Sequence, residues 1–174
     1  MNKKNIAVLG AGKMGLGIAQ LFATKGHQVK VIYVYDDKIR CDAAAVVRDN
    51  LSVLVENDVM TQQEADAAAA RISFVDTIEE VADFADVVFE GIIEKLEIKQ
   101  DYFAKMDAIF PVSTILATNT SAISITEIAE KSVHKERIIG THYWNPAYLV
   151  PLVEVIKTKY VSDETVQATY DLLK

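Results

Sequence analysis

The chain alternates short apolar runs with longer segments in which apolar positions recur at helical spacing. The first apolar run, Ile6 to Leu9, predicts a buried parallel strand, and the segment from Met14 to Lys25 predicts a helix that ends at Gly26. A β-branched and aromatic run from Val29 to Tyr35 predicts a second strand. The segment from Lys38 to Asn57, rich in Ala and Val, predicts a long helix. Strand and helix therefore alternate from the start.

The same alternation continues to the end of the chain, where the segment from Asp163 to Lys174 predicts a last helix. Capping-box spacing predicts three helix starts before it, at Thr61 with Glu64, Thr77 with Glu80, and Ser124 with Glu127. Short β-branched runs predict four further strands: Arg71–Val75, Asp86–Glu90, Thr114–Thr118 and Arg137–His142. We therefore expect an α/β fold of the Rossmann type, a doubly wound, mostly parallel sheet with helices on both faces. Ligands bind such sheets at the carboxyl ends of the strands.

Length, charge and cysteine content narrow the possible partners. The length of 174 residues suits a single domain, so we expect one unit over residues 1–174. A net charge of −7 disfavours nucleic acid, whose binding requires clustered Lys and Arg. The single cysteine, Cys41, excludes an internal disulfide and a multi-cysteine metal site, and no metal is predicted. Because the chain does not open on a cleavage signal or a membrane-length apolar run, we expect a cytoplasmic protein without a membrane partner.

Three glycines with G-x-G-x-x-G spacing lie between the first predicted strand and the first predicted helix, at Gly10, Gly12 and Gly15. In this motif the first glycine permits a tight turn, the second lets backbone approach a pyrophosphate, and the third lets helix and strand pack closely. The N-terminus of the helix adds unpaired N–H groups and a positive dipole end. The pattern predicts a dinucleotide site.

A carboxylate follows the second predicted strand at the distance that this site requires. Asp36 lies about 20 residues beyond Gly15, where it can accept hydrogen bonds from the ribose of adenosine. The same charge repels the 2′-phosphate of NADP, so NAD is the predicted cofactor. Lys38 and Arg40 are the neighbouring features that favour NADP instead.

Four later stretches, FEGIIEK, ATNTSAISITEIAE, GTHYWNP and LVPLVEV, carry further candidate chemistry. Together with the glycines, they make the chain resemble the NAD-binding domain of the 3-hydroxyacyl-CoA dehydrogenases. The family pattern G-A-G-x-M-G-x-G-I-A matches Gly10 to Ala19, and S-N-T-S-S appears as Thr118 to Ala122. The pattern H-F-F-N-P appears as His142 to Pro146, and L-V-E-V as Leu152 to Val155.

The resemblance implies a role for each candidate residue. His142 is the general base that takes the proton of a substrate 3-hydroxyl, and Glu154 orients it. Ser121 and Asn145 hydrogen-bond the reacting oxygen or a nearby carbonyl. The residues that bind NAD are Gly10, Gly12, Lys13, Met14, Gly15 and Asp36, with Glu90 and Lys95 beside the nicotinamide ribose. The chemistry is consistent, since histidine titrates near neutrality and a carboxylate partner fixes its tautomer.

Simpler interpretations exist for several of these residues. A histidine after an apolar strand is often structural, so His142 depends on its flanking motifs. Ser121 is also compatible with a turn before a helix, and Asn145 with a turn before Pro146. Glu154 lies in an otherwise apolar strand, where a buried carboxylate requires a partner.

The chain departs from the family pattern at three places. When the family pattern G-H-x-V-x-L-x-D is aligned from Gly26 without a gap, Tyr33 instead of Asp36 falls at the position that contacts the ribose. The reach that corresponds to the CoA-binding serine and lysine, Asn50 to Asp58, contains no lysine and carries carboxylates that repel CoA phosphates. Pro151 stands where the family often has a lysine.

These departures leave three functions open. The first is an NAD-dependent L-3-hydroxyacyl-CoA dehydrogenase for short substrates such as 3-hydroxybutyryl-CoA, an enzyme of fatty acid metabolism. The second is a dehydrogenase of a free hydroxy acid, as in relatives that act on carnitine or gulonate. The third is an NAD-binding module without activity of its own. Family members continue into an all-helical substrate domain, so we expect residues 1–174 to be inactive alone and the full-length form to be a homodimer.

Overall fold

The computed structural model describes residues 3–34, 37–150 and 152–174, without the side chains of 37–42. The strands are β1 Asn5–Leu9, β2 Gln28–Ile32, β3 Ile72–Val75, β4 Val87–Glu90, β5 Ile115–Thr118, β6 Ile138–Tyr143 and β7 Val153–Ile156. The helices are α1 Lys13–Thr24, α2 Asp37–Glu56, α3 Gln62–Ala69, α4 Leu96–Ile109, α5 Ile125–Ile128 and α6 Asp163–Leu173. None of the helices in these ranges is long and apolar enough to cross a membrane.

All seven strands form one sheet in the order β3-β2-β1-β4-β5-β6-β7. Strands β1 to β6 run parallel, and β7 pairs antiparallel with β6. The strand order reverses between β1 and β4, because the chain first builds outward through β2 and β3 and then returns to the other side of β1. In such sheets the crevice for a ligand lies at this reversal, beyond the carboxyl ends of the strands. The predicted doubly wound, mostly parallel α/β fold is confirmed.

Apolar side chains cover both faces of the sheet and form two cores. Val8 and Phe89 belong to the core beneath α1, α2 and α3, whereas their strand neighbours Ala7 and Val88 belong to the core beneath α4 and α5. Successive strand residues point to opposite faces, so a strand covered on both sides must be apolar throughout. This explains why the central strands β1 and β4 appear in the sequence as nearly continuous apolar runs.

Of the three predicted helix starts, those at Thr61 and Ser124 are confirmed, and the one at Thr77 is followed by no α-helix. Thr61 forms the predicted capping box with Glu64. The Glu80 carboxylate accepts the Thr77 backbone N–H at 2.9 Å, but only the 3₁₀ turn Glu79–Val81 follows. Ser124 precedes the single turn of α5 without a capping hydrogen bond from its side chain.

Helix α4 is the element that no sequence pattern indicated. Its buried face carries Lys99, Gln100 and Asp107 beside Phe103 and Met106. Polar residues at buried positions interrupt the apolar periodicity by which a helix is recognised. Each of the three has a partner elsewhere in the fold, which offsets the cost of removing it from water.

Candidate active site

The glycine loop between β1 and α1 has two closely packed glycines and one open glycine. Gly10 has a positive φ of 105°, and a Cβ added there would lie 2.9 Å from the Gly91 carbonyl oxygen. A Cβ on Gly15 would lie only 1.9 Å from the Gly10 carbonyl oxygen. At Gly12, by contrast, an added Cβ would meet no atom within 4 Å. Gly10 and Gly15 are therefore required by packing, whereas Gly12 leaves space for a ligand.

The N-terminus of α1 adjoins this space. Gly12 is the N-cap residue, and the described part of the chain provides neither a side-chain cap nor an acidic residue in the first turn. Lys13 is exposed and Met14 half-buried at the first two helical positions. The first N–H groups of a helix have no partner within the helix, and together with the dipole they favour an anion. The loop therefore fits a pyrophosphate.

A relay of three side chains lies at the end of β6. The antiparallel register pairs His142 with Glu154 directly across β6 and β7. The Nδ1 atom of His142 lies 2.5 Å from a carboxylate oxygen of Glu154, and its Nε2 atom lies 2.9 Å from the Ser121 hydroxyl oxygen. A carboxylate only accepts, so it fixes the hydrogen on Nδ1 and leaves Nε2 as the acceptor. The structure thus brings together three of the four residues predicted to be catalytic.

The fourth, Asn145, lies on a groove that it shares with the glycine loop. The exposed Asn145 follows β6 and faces a cavity of about 590 Å³ that Gly12 and Lys13 also line. Tyr148 and Asn50, the latter from α2, also line the cavity, and the Tyr148 hydroxyl donates to the Asn50 side-chain oxygen at 3.2 Å. One groove therefore connects the predicted pyrophosphate site with the segment that follows His142.

Glu90 was predicted to lie beside the nicotinamide ribose, but its side chain lies in the interior of the domain. Its side chain is fully buried, and both carboxylate oxygens are taken. The buried Lys99 ammonium donates to them at 2.8 and 2.9 Å, the Thr118 hydroxyl at 2.6 Å and the Ile92 N–H at 2.7 Å. Burial raises the pKa of the Glu90 carboxyl, and these donors oppose the increase. Glu90 thus shows no surface to a ligand, whereas the other residue predicted beside the ribose, Lys95, is exposed at the N-cap of α4.

Glu94, which no sequence motif indicated as a site residue, joins the buried ion pair to the relay. One of its carboxylate oxygens lies 3.0 Å from Lys99 Nζ. The other accepts the Thr120 hydroxyl and, at 3.2 Å, the Ser121 N–H. Partial burial by itself raises the pKa of Glu94, but the hydrogen bonds from Thr120 and Lys99 outweigh it and hold this pKa below its ordinary value. The stretch FEGIIEK contains two candidate carboxylates, and nothing local shows which of them reaches the loop.

Asn119 is a second functional position that the sequence offered only as part of a motif. Its side-chain oxygen accepts the Tyr143 N–H at 3.0 Å, and its own N–H donates to the Glu90 carbonyl at 3.0 Å. These bonds tie the end of β5 to β6 on one side and to β4 on the other. They bring the segment that carries Ser121 beside His142.

The residue that meets the adenosine ribose stays a prediction. Asp36 lies outside the described residues, as does Pro151. Tyr33 follows β2, and its ring stacks on Phe74 with 5.4 Å between the ring centroids. No group of His, Cys, Asp and Glu side chains in the described ranges is arranged to hold a metal ion.

Comparison with known proteins gives a family match over almost the whole chain. The family model described as "3-hydroxyacyl-CoA dehydrogenase, NAD binding domain" matches residues 5–174. A probable 3-hydroxybutyryl-CoA dehydrogenase of Bacillus subtilis is 41% identical over 167 residues, which cover 95% of this chain and 57% of that protein. The chain thus spans a little over half the length of this curated relative.

Solved structures show the same similarity. The crystal structure of 3-hydroxybutyryl-CoA dehydrogenase from Escherichia coli K12 superposes with a TM-score of 0.93 at 35% identity, covering 99% of this chain and 36% of that one. The crystal structure of 5-formyl-3-hydroxy-2-methylpyridine 4-carboxylic acid 5-dehydrogenase, described as an NAD+-dependent dismutase, superposes with a TM-score of 0.78 at 30% identity, covering 99% of this chain and 54% of that one.

Proposed function

Because the chain belongs to the family of 3-hydroxyacyl-CoA dehydrogenase NAD-binding domains, we propose that residues 1–174 are the cofactor-binding half of an NAD-dependent L-3-hydroxyacyl-CoA dehydrogenase. The substrate class we infer is a short acyl-CoA such as 3-hydroxybutyryl-CoA, after the named relatives. The observation that carries this proposal is the Ser121–His142–Glu154 relay at the carboxyl edge of the sheet.

The residues around the glycine loop fit NAD. The open space at Gly12 and the uncapped N-terminus of α1 suit a pyrophosphate, and both Lys13 and Met14 begin this helix. Asp36 is proposed to hold the ribose of adenosine and Lys95 to lie beside the other ribose. When NAD is bound, the chemistry that it supplies is acceptance of a hydride from the substrate carbon.

The relay handles the proton of the same oxidation. Nε2 of His142 is the accepting nitrogen of the ring once Nδ1 carries the hydrogen directed at Glu154, so Nε2 takes the proton of the substrate hydroxyl when that hydroxyl replaces Ser121 as its donor. The Glu154 carboxylate then stabilises the imidazolium. Ser121 lies 2.9 Å from Nε2, which places its hydroxyl where it can bond the same substrate oxygen. Asn145, on the adjoining groove, is proposed to bond the carbonyl of the substrate.

Steady-state kinetics of the full-length protein test the proposal. We expect NAD-dependent oxidation of 3-hydroxybutyryl-CoA, and a loss of about 10²–10⁴ in kcat for His142→Gln with little change in the Kd for NAD. His134→Gln is the matched control, since His134 lies half-buried beside Asp107 at the other end of β6. Near-normal turnover by His142→Gln would remove His142 from the mechanism.

A free hydroxy acid is the second candidate substrate. Among the α2 side chains that the structure describes, those that line the groove are Ala43, Val46 and Asn50, none of them basic, whereas CoA phosphates call for cations. The relative named for a pyridine carboxylic acid supports this alternative. Preference for free 3-hydroxybutyrate over its CoA ester in the same assay would establish it.

The isolated chain and its assembly are further parts of the proposal. We propose that residues 1–174 bind NAD without appreciable turnover, and that the full-length protein is a cytoplasmic homodimer. Calorimetry on residues 1–174 measures NAD binding, a turnover assay on the same chain measures its activity, and sedimentation of the full-length protein measures its oligomeric state. Efficient turnover by residues 1–174 alone would mean that the substrate site is complete within this domain.

A further inference from the structure

The loop that carries Ser121 has few anchors of its own. Ser121 lies between β5 and the single turn of α5, in a segment without regular structure, and its side chain is exposed. Its hydroxyl contacts His142 Nε2 at 2.9 Å, and its backbone N–H donates to Glu94 at 3.2 Å. The position of the Ser121 hydroxyl therefore depends on what holds Glu94.

Lys99 holds Glu94 from below. The Lys99 ammonium is fully buried and donates to both oxygens of Glu90, to the Asn119 carbonyl at 3.2 Å and to Glu94 at 3.0 Å. One oxygen of Glu94 is thus fixed by a cation that cannot move without leaving the buried Glu90 carboxylate unpaired. Glu94 itself is partly exposed, with 41% of its side chain accessible.

The other oxygen of Glu94 holds the loop at two successive residues. It accepts the Thr120 hydroxyl and the Ser121 N–H, and the Thr120 hydroxyl oxygen in turn accepts the Ile123 N–H at 3.0 Å. The carboxylate therefore bridges a rigid buried cation to the turn that presents Ser121.

We propose that Glu94 is a positioning residue, which fixes the Ser121 hydroxyl against His142 by joining the Thr120–Ser121 loop to the buried Lys99. The proposal rests on the proposed function for its kinetic consequence, because only a working relay makes the position of Ser121 matter for turnover. Its structural content, the bridge from Lys99 to Ser121, does not depend on that function.

The kinetic test is a double-mutant cycle in the full-length dehydrogenase. We expect Glu94→Ala to lower kcat about 10- to 100-fold, the range for loss of one charge-assisted hydrogen bond. If Glu94 acts through Ser121, the double variant with Ser121→Ala loses no more than Ser121→Ala alone. Glu97→Ala, which removes an exposed carboxylate from the first turn of α4, is the matched control and leaves kcat unchanged.

Two kinetic results would overturn the proposal. The first is a multiplicative loss in the double variant, which would mean that Glu94 and Ser121 act independently. The second is a Glu94→Ala enzyme with weakened NAD binding and normal kcat, which would make Glu94 a direct contact of the cofactor. Glu94→Gln separates the parts of the bridge, since an amide still accepts from the loop but offers Lys99 no charge. We expect its kcat to lie between those of wild type and Glu94→Ala.

The structural test uses the amide resonances of the 174-residue chain in NMR spectra. Glu94→Ala is expected to shift the Ser121 amide proton upfield, because its carboxylate acceptor is gone, and Glu97→Ala to leave it in place. An unmoved Ser121 amide overturns the proposal even in an active enzyme. A shifted amide in a protein whose full-length form lacks dehydrogenase activity instead refutes the proposed function and supports the bridge.

Discussion

Replacing Lys99 with methionine tests the contribution of the buried ion pair to folding. Lys99 and Glu90 are both fully buried, and the ammonium is the only cation that contacts the Glu90 carboxylate among the described residues. Lys99→Met keeps most of the side-chain volume and leaves a buried charge uncompensated. Breaking a buried pair from one side costs about 3–5 kcal/mol, a large part of the ~5–15 kcal/mol that stabilises a typical domain.

Urea unfolding of the 174-residue chain, followed by circular dichroism, measures this cost. With a slope of about 2 kcal/mol per molar urea, the expected loss moves the midpoint down by about 1.5–2.5 M. The double variant Lys99→Met with Glu90→Gln is expected to recover part of the loss, because the amide is neutral and its oxygen can still accept the Ile92 N–H. For an ion pair on the surface, the expected shift of the urea midpoint is much smaller.

Lys131 provides that comparison, since its ammonium contacts Asp101 at 2.6 Å with about half of its side chain exposed. Lys131→Met is expected to change stability by about 0–1 kcal/mol. If Lys99→Met cost no more than Lys131→Met, the buried pair would contribute nothing beyond an ordinary surface contact. Pairing with Glu90 would then not be what stabilises a lysine on the buried face of α4, and the reasoning would be refuted.

Three further predictions concern the cofactor loop, the cofactor and the stability at low pH. Gly12→Val should leave the circular dichroism spectrum intact and abolish NAD binding in calorimetry, whereas Gly15→Ala should unfold the loop. A folded Gly12→Val chain with normal NAD affinity would exclude the phosphate site. Calorimetry should also show tighter binding of NAD than of NADP if Asp36 meets the ribose, and equal affinities would contradict this. Hydrogen bonds from Arg137 and two backbone N–H groups outweigh burial and lower the pKa of Asp107 below its ordinary value. A group with a depressed pKa stabilises the fold above its unfolded pKa, and this contribution is lost as pH falls through its folded pKa. Asp107→Asn should therefore be less stable than wild type at pH 7. Below about pH 4, its free energy of unfolding should decrease less than that of wild type. If the free energies of unfolding of the two proteins changed in parallel with pH, the lowered pKa of Asp107 would be contradicted.

Many elements of the fold could be predicted because their signals are local. The strands of the parallel sheet are largely apolar on both faces, and glycine, which follows α1 at Gly26 and opens the loop at Gly10, marks where the backbone must turn. The helix at Leu96–Ile109 could not be predicted in this way. Its buried Lys99 and Asp107 are stabilised by Glu90 and Arg137, which belong to other elements of the fold.

The candidate site shows the same division. The glycine spacing around Gly12 indicated a dinucleotide site, and the motifs that contain His142 and Glu154 indicated a proton transfer through their resemblance to the dehydrogenase family. The sequence by itself therefore predicted the kind of chemistry. Only the tertiary structure decided that Glu90 is sealed against Lys99 while Glu94 reaches the loop, and that the β6–β7 register sets Glu154 opposite His142. Burial and strand register depend on contacts between distant segments, and no local period of the sequence encodes them.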